Sequence, residues 1–195
     1  MKTITSILLT AIFTILSLQL NAQRTYTVAA AKSTFEVAGT STVHDWTMRS
    51  TEGTGIANLT VKDSKLTAIN SLTITLSAES LKSSKTSMDQ VAYEALDTET
   101  HKTIEYALKS AEKINESTWI LTGTYTIAGI SKEYKTQIKI TADNETFILQ
   151  GSNQITFGDF EMTPPKAALG VVKTGKDLTV IFNIMLSQIN QISDL

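Results

Sequence analysis

The stretch Asp177-Leu-Thr-Val-Ile-Phe-Asn-Ile-Met-Leu-Ser187 decides the fold class of this chain. Its large apolar residues recur at every second position, which is the period of a β-strand that is buried on one face. The residues that share this face are Leu178, Val180, Phe182, Ile184 and Leu186. Because Ile181 and Met185 are also apolar, the opposite face is not fully polar. The segment therefore predicts a strand in the middle of a sheet.

The same alternation, with many Thr, Ile and Val residues, continues outward from this segment through the chain. It predicts seven further strands, at Tyr26–Val37, Val43–Ile56, Leu66–Ser77, Thr103–Lys109, Thr118–Ile127, Tyr134–Thr141 and Phe147–Phe157. Turn signals occur at Ala38-Gly39, Glu52-Gly53, Lys62-Asp63, Asn115-Glu116, Ala128-Gly129 and Asp143-Asn144. Such short, evenly spaced connections favour antiparallel order over parallel βαβ units. One long irregular connection is predicted, from Glu161 to Lys176.

One segment departs from the strand pattern and predicts a short amphipathic helix. Its apolar residues follow the i, i+3, i+4, i+7, i+8 spacing of one helix face, at Met88, Val91, Ala92, Ala95 and Leu96. Ser87 followed by Gln90 fits a capping box at the start of this helix. The fold class is therefore mostly β, a single eight-stranded antiparallel barrel with one short helix.

The first 22 residues have the pattern of a secretory signal peptide. Lys2 precedes an apolar run from Ile4 to Leu20, which ends in small and polar residues, so we expect cleavage after Ala22. The alternative is an anchor, but the run is short and contains hydroxyl residues. We expect one domain over residues 23–195, no transmembrane segment after cleavage, and a location in the periplasm or outside the cell.

Composition excludes several classes of function. The chain has no cysteine, so disulfides and thiolate metal sites are excluded. Removal of Lys2 leaves 16 basic and 19 acidic residues, a net charge of −3 without charge blocks, which does not favour nucleic acid as a partner. The two histidines, His44 and His101, have no second ligand at metal spacing, so no metal is expected.

No catalytic motif stands out, because there is no nucleophile elbow and no glycine-rich phosphate loop. An eight-stranded barrel either fills itself with side chains or encloses one small ligand. The scattered aromatic residues suit a packed core or an apolar pocket. Composition leaves both open and slightly favours the filled core.

An ordered set of motifs resembles the YceI-like family of exported lipid-binding or polyisoprenoid-binding proteins. The motifs are Ser33-Thr-Phe-Glu-Val37, Ser80-Leu81, Met88-Asp-Gln-Val-Ala-Tyr-Glu-Ala-Leu96, Thr103-Ile-Glu-Tyr106, Leu121-Thr-Gly-Thr-Tyr-Thr-Ile-Ala-Gly-Ile-Ser-Lys132 and Phe157-Gly-Asp-Phe160. The resemblance covers nearly the whole mature domain. It implies a lipocalin-like barrel whose interior takes a long isoprenoid or fatty chain.

The leading hypothesis is an exported carrier or sequestering protein that is not an enzyme and needs no cofactor. Its ligand would be an isoprenoid, a quinone or a fatty acid. The predicted ligand-binding residues are Phe35, Val37, Trp46, Leu72, Ile74, Met88, Val91, Leu96, Tyr106, Tyr125, Ile127, Phe157 and Phe182, of which the three helix residues would form a lid. A second hypothesis is an enzyme acting on a lipid or quinone precursor, with His44, Asp45 and His101 at the barrel mouth. A third is a filled barrel that serves as an interaction module through the Met162–Lys176 loop.

Overall fold

The computed structural model describes residues 22–143 and 146–189. The predicted signal peptide lies outside the described residues except for Ala22, and so does Asn144 of the predicted Asp143-Asn144 turn. The described residues form eleven strands: β1 Ala22–Val28, β2 Thr34–Ser41, β3 Trp46–Ser50, β4 Thr54–Lys62, β5 Lys65–Ser77, β6 Thr103–Lys113, β7 Thr118–Ile127, β8 Ile130–Asp143, β9 Thr146–Thr156, β10 Lys166–Ala167 and β11 Val172–Gln188. The helix α1 spans Thr86–Leu96.

The strands close into an antiparallel barrel with eight strand positions, as the sequence predicts. Neighbouring strands pair in the order β1-β4-β5-β6-β7-β8-β9-β11-β2-β3. Strands β1 and β2 both pair with β11, so they share one position, and β3 and β4 share the next. The β1–β11 ladder closes the sheet, with Tyr26 opposite Gln188. Closure leaves the two-residue strand β10 outside the barrel wall, paired only with β11.

The sequence analysis predicted one continuous strand, Tyr26–Val37, where the structure has β1 and β2, and one, Val43–Ile56, where it has β3 and β4. Both predictions were wrong. A 3₁₀ turn at Ala30–Lys32 separates β1 from β2. The buried Ser33 holds this break, because its hydroxyl donates to the Ala29 carbonyl (2.9 Å) and accepts from the Met185 amide (3.0 Å). No glycine or proline marks the turn, so the alternating pattern ran through it.

The predicted strand Val43–Ile56 is also two strands, and it begins later than predicted. The chain bends at 51–53, where the Glu52-Gly53 turn signal was correct, and β3 starts only at Trp46. His44 and Asp45 therefore lie in the loop between β2 and β3 and not on a strand. The predicted turn at Ala38-Gly39 was wrong, because Gly39 lies inside β2 opposite Trp46.

Helix α1 starts two residues before the predicted apolar face, and its predicted capping box was wrong. The N-cap residue is Lys85, whose side chain makes no cap hydrogen bond. Instead, the carboxylate of the buried Asp89 accepts from the Ser83 amide (2.7 Å) and fixes the first turn to the preceding segment. No helix of the described part of the chain has the length and hydrophobicity to cross a membrane.

The barrel interior divides into two halves along its axis. One end, called the packed end, contains the β4–β5 and β6–β7 turns and a dense core of side chains. The opposite end, called the open end, carries α1, the β2–β3 loop and the segment between β9 and β11. Its apolar side chains form two smaller groups around Phe157 and Met48. The long connection predicted at Glu161–Lys176 is shorter than expected, because β10 and the start of β11 form a hairpin within it.

Candidate binding cavity

The open half of the barrel encloses a cavity of about 740 Å³. This volume lies within the range of roughly 300–1,000 Å³ that is usual for small-molecule sites. Because the exposed residues His44, Lys85 and Ser87 belong to its wall, the cavity opens to solvent at the open end. The expectation of a filled core is therefore wrong for this half and correct for the packed half.

The thirteen residues predicted from strand and helix faces are all placed in the wall of this one cavity. They are Phe35, Val37, Trp46, Leu72, Ile74, Met88, Val91, Leu96, Tyr106, Tyr125, Ile127, Phe157 and Phe182. Alternation placed the predicted residues of β2, β3, β5, β6, β7 and β11 on the inward face, and the structure brings these faces together. Their contact with a ligand stays a prediction.

The wall also contains residues that the prediction missed. Leu178 and Val180 belong to the same alternating face of β11 as Phe182, so periodicity could have included them. Other wall residues, such as Met162 and Pro165, lie in the segment between β9 and β11, where no periodicity assigns a face. The small helix residues Ala92 and Ala95 also face the cavity, and their size leaves space there.

Aromatic rings in the cavity wall lie over glycines and thereby leave the lumen open. A Cβ atom at Gly123 would lie 2.3 Å from the Tyr106 hydroxyl oxygen. A Cβ atom at Gly39 would lie 2.3 Å from Cζ2 of Trp46, whose indole nitrogen donates to the Thr40 carbonyl (3.0 Å). Since only glycine leaves room for a ring so close to the sheet, these positions hold the rings against the wall.

Helix α1 is fixed to the barrel and forms one wall of the cavity. The Tyr93 hydroxyl lies 2.8 Å from the Glu79 carbonyl oxygen and receives a hydrogen bond from the Lys82 ammonium. The Thr98 hydroxyl donates to the Glu79 carboxylate (2.9 Å). An antiparallel bridge joins Lys82 to Arg49 of β3. These contacts on one side of the helix leave Met88 and Val91 directed to the cavity.

A small polar cluster interrupts the apolar surface between the two halves. The buried Asn153 amide donates to the Thr136 hydroxyl (2.5 Å) and to the Tyr125 hydroxyl (3.3 Å). Burial raises the pKa of Tyr125, and its hydrogen bonds to Asn153 and Thr136 oppose the rise. Burial also raises the pKa of Tyr106, with a smaller contribution from Tyr125. These phenols are therefore neutral at physiological pH.

The residues of the enzyme hypothesis do not converge at the mouth. His44 belongs to the cavity wall, but its Nδ1 contacts the backbone carbonyl of Asp45 (2.7 Å), and the Asp45 side chain is exposed and outside the wall. His101 lies over Gly129, with its Nε2 4.0 Å from the Asp97 carboxylate. No group of three or more metal-ligating side chains is close enough to hold a metal within residues 22–143 and 146–189.

These features define a class of protein: a closed antiparallel barrel that is packed at one end and has an apolar, solvent-connected cavity at the other. The chain belongs to the YceI-like family, whose domain model matches residues 26–186. The resemblance found in the sequence is thereby confirmed.

Solved structures of similar fold include BcnA of Burkholderia cenocepacia, with a TM-score of 0.68 and 16% identity over 81% of this chain and 98% of that one. A polyisoprenoid-binding domain of Saccharophagus degradans, implicated in plant cell wall breakdown, has a TM-score of 0.64 and 10% identity over 84% and 98% of the two chains. The YCEI protein of Campylobacter jejuni has a TM-score of 0.59 and 15% identity over 72% and 82%. No curated protein matches the sequence.

Proposed function

We propose that this protein is a carrier or sequestering protein that holds one apolar chain, a polyisoprenoid, quinone or fatty lipid, in the open half of its barrel. The observation that carries the proposal is the solvent-connected cavity of about 740 Å³ with its apolar wall. The similarity of fold to a polyisoprenoid-binding domain supports this ligand class. We also propose export to the periplasm or the medium, supported by the signal-peptide pattern of residues 1–22.

Burial of apolar surface is sufficient to drive binding in such a cavity. A guest that buries about 300 Å² of apolar surface gains roughly 7 kcal/mol at about 25 cal/mol per Å². Association costs consume part of this gain, but micromolar affinity remains within reach. Carriage requires no catalytic residue, and we therefore propose that the protein is not an enzyme.

The proposal is tested by filling the cavity from the helix side. Ala95 faces the cavity, whereas its neighbour Glu94 is exposed on the outer side of α1. Ala95→Trp should abolish binding of the fluorescent fatty acid cis-parinaric acid, and the matched control Glu94→Trp should bind it as the wild type does. Geranylgeraniol should displace the bound probe from the wild-type protein.

Equal binding by wild type and both variants would place the probe outside the cavity and would contradict the proposal. Failure of the wild-type protein to bind either probe, with the barrel intact by circular dichroism, would also contradict it. Thermal unfolding of Ala95→Trp should remain cooperative, because the new ring enters open space and not the packed half.

A further inference from the structure

A small hairpin at the open end has the form of a membrane-contacting element. Strand β10, a 3₁₀ turn and the first residues of β11 form the segment Lys166-Ala-Ala-Leu-Gly-Val-Val-Lys173, in which six uncharged residues lie between two lysines. The side chains of Leu169 and Val171 are 107% and 76% exposed. Leu169 adopts a left-handed conformation (φ 55°), which leucine rarely takes, and its side chain is left entirely in solvent.

A second loop adds to this apolar surface. Val43, in the β2–β3 loop, is 65% exposed. The Thr42 amide donates to the Lys173 carbonyl (3.0 Å), and the Lys173 amide donates to the Thr42 hydroxyl (3.2 Å). The two loops are therefore joined, and we call the exposed side chains of Val43, Leu169 and Val171 the apolar rim.

The lysines beside the apolar rim carry uncompensated charge. Lys166 and Lys173 are directly opposite each other in the β10–β11 ladder, an arrangement in which like charges repel. Neither forms an ion pair within the described parts of the chain. At the packed end, in contrast, Lys65 and Lys113 lie 4.0 and 3.4 Å from carboxylate oxygens of Glu116. The β10–β11 hairpin thus presents exposed apolar side chains together with two lysines that form no ion pair among the described residues.

We propose that the apolar rim docks on the surface of an anionic lipid bilayer. Leu169, Val171 and Val43 enter the headgroup region, and Lys166 and Lys173 contact lipid phosphates. An anionic bilayer matches both features of this surface. Its acyl-chain region accepts the apolar side chains of the rim, and its negatively charged headgroups attract the two lysines. This inference goes beyond carriage, because it names the surface on which the protein acts.

Docking in this orientation brings the cavity mouth to the lipid. At the start of β11, Val172 and Thr174 belong to the cavity wall, while Lys173 and the preceding residue Val171 are exposed. Ser41, at the end of β2, and Pro165, directly before β10, are also wall residues. A chain leaving the bilayer at this point enters the cavity without crossing water.

The test is co-sedimentation of the purified protein with vesicles of equal parts phosphatidylglycerol and phosphatidylcholine, and with vesicles of phosphatidylcholine alone. All variants are purified in the same way and have the same N-terminus. Any contribution of the predicted signal peptide to vesicle binding is therefore the same in every sample. The wild type should sediment with the anionic vesicles, less strongly at high salt, and weakly with the neutral ones.

Two double variants separate the contributions to binding. Lys166→Gln with Lys173→Gln should weaken binding to anionic vesicles by more than about tenfold, at roughly fivefold per lysine. Leu169→Gln with Val171→Gln should weaken it by about tenfold or more. The control Ile114→Gln, which changes an exposed apolar side chain (49%) at the packed end, should leave binding unchanged.

Equal sedimentation of the wild type and both rim variants would overturn the proposal, as would a wild type that binds no vesicles. Cross-linking from position 169 to a single envelope protein, without vesicle binding, would assign the rim to a protein partner and would also overturn it. Binding of cis-parinaric acid by the rim variants is measured in parallel, so that loss of docking and loss of carriage are told apart.

Discussion

The packed and open halves of the barrel use the same types of residue to opposite effect. In the packed half, Tyr26 and Phe147 meet edge to face, with ring centroids 5.5 Å apart, and close the interior. In the open half, Trp46 and Tyr106 lie over glycines on neighbouring strands and leave the centre empty. In the open half, the glycines beneath Trp46 and Tyr106 let these rings lie against the sheet, which keeps the centre of the barrel free.

The largest difference should appear between truncation of a phenylalanine in the packed core and truncation of one in the cavity wall. Phe147 is 2% exposed in the packed core, so Phe147→Ala should lower the free energy of unfolding by about 3–5 kcal/mol. Phe182 already borders the cavity, so Phe182→Ala should cost only about 1–2 kcal/mol, since little new enclosed space is created. Urea unfolding of both variants measures the difference. Equal losses in the free energy of unfolding would contradict the contrast between the packed core and the cavity wall.

A second prediction sharpens the role of the glycines. Gly123→Ala places a Cβ atom 2.3 Å from the Tyr106 hydroxyl oxygen, so the ring must leave the wall and enter the lumen. We expect a loss of about 1–3 kcal/mol in the free energy of unfolding from overpacking, together with weaker binding of cis-parinaric acid.

Gly158→Ala is the control for this prediction. The nearest atom to its new Cβ, the Thr156 hydroxyl oxygen, lies 3.7 Å away, so neither stability nor probe binding should change. Unaltered probe affinity in Gly123→Ala would show that the Tyr106 ring does not set the width of the cavity.

The smallest effect is expected from the phenol at the boundary of the halves. The buried Tyr106 hydroxyl has no hydrogen-bond partner among the described residues, so Tyr106→Phe should be neutral or stabilising by up to about 1 kcal/mol at neutral pH. Urea unfolding measures this change, and a clear loss of stability would indicate a partner for the hydroxyl.

The same substitution should change the response to alkaline pH. Burial raises the pKa of Tyr106 above its ordinary value of 10.0, so the unfolded chain releases this proton before the folded protein does. The corresponding stability is present below pH 10 and is lost as pH rises toward the folded pKa. Tyr106→Phe should therefore lose less stability than the wild type between about pH 9 and 11. An identical decline in both proteins would contradict the assignment.

Much of the fold was predictable because alternation is a local property of the sequence. Strands β5, β7 and β9 match their predicted bounds to within one residue, and the inward faces placed the predicted site residues in one wall. The break after β1 depends on a distant contact, that of the Ser33 hydroxyl with the Met185 amide, and local pattern does not show it.

The hollow interior was not predictable for a similar physical reason. Whether Tyr106 fills the lumen or lies against the wall depends on Gly123, which faces it only after the β6–β7 ladder forms. The sequence analysis also did not predict the apolar rim. The exposure of Leu169 and the pairing of Lys166 with Lys173 are visible only in the folded structure. Alternation in the sequence predicts which side chains point inward, whereas only the structure shows where these side chains leave a cavity.

The most direct test of the central claim is native mass spectrometry of the protein purified from its own kind of cell, followed by organic extraction of the bound material. We expect close to one isoprenoid, quinone or fatty chain per protein molecule, which Ala95→Trp should lose. A mass without ligand, unchanged after incubation with geranylgeraniol, would contradict carriage in the open half.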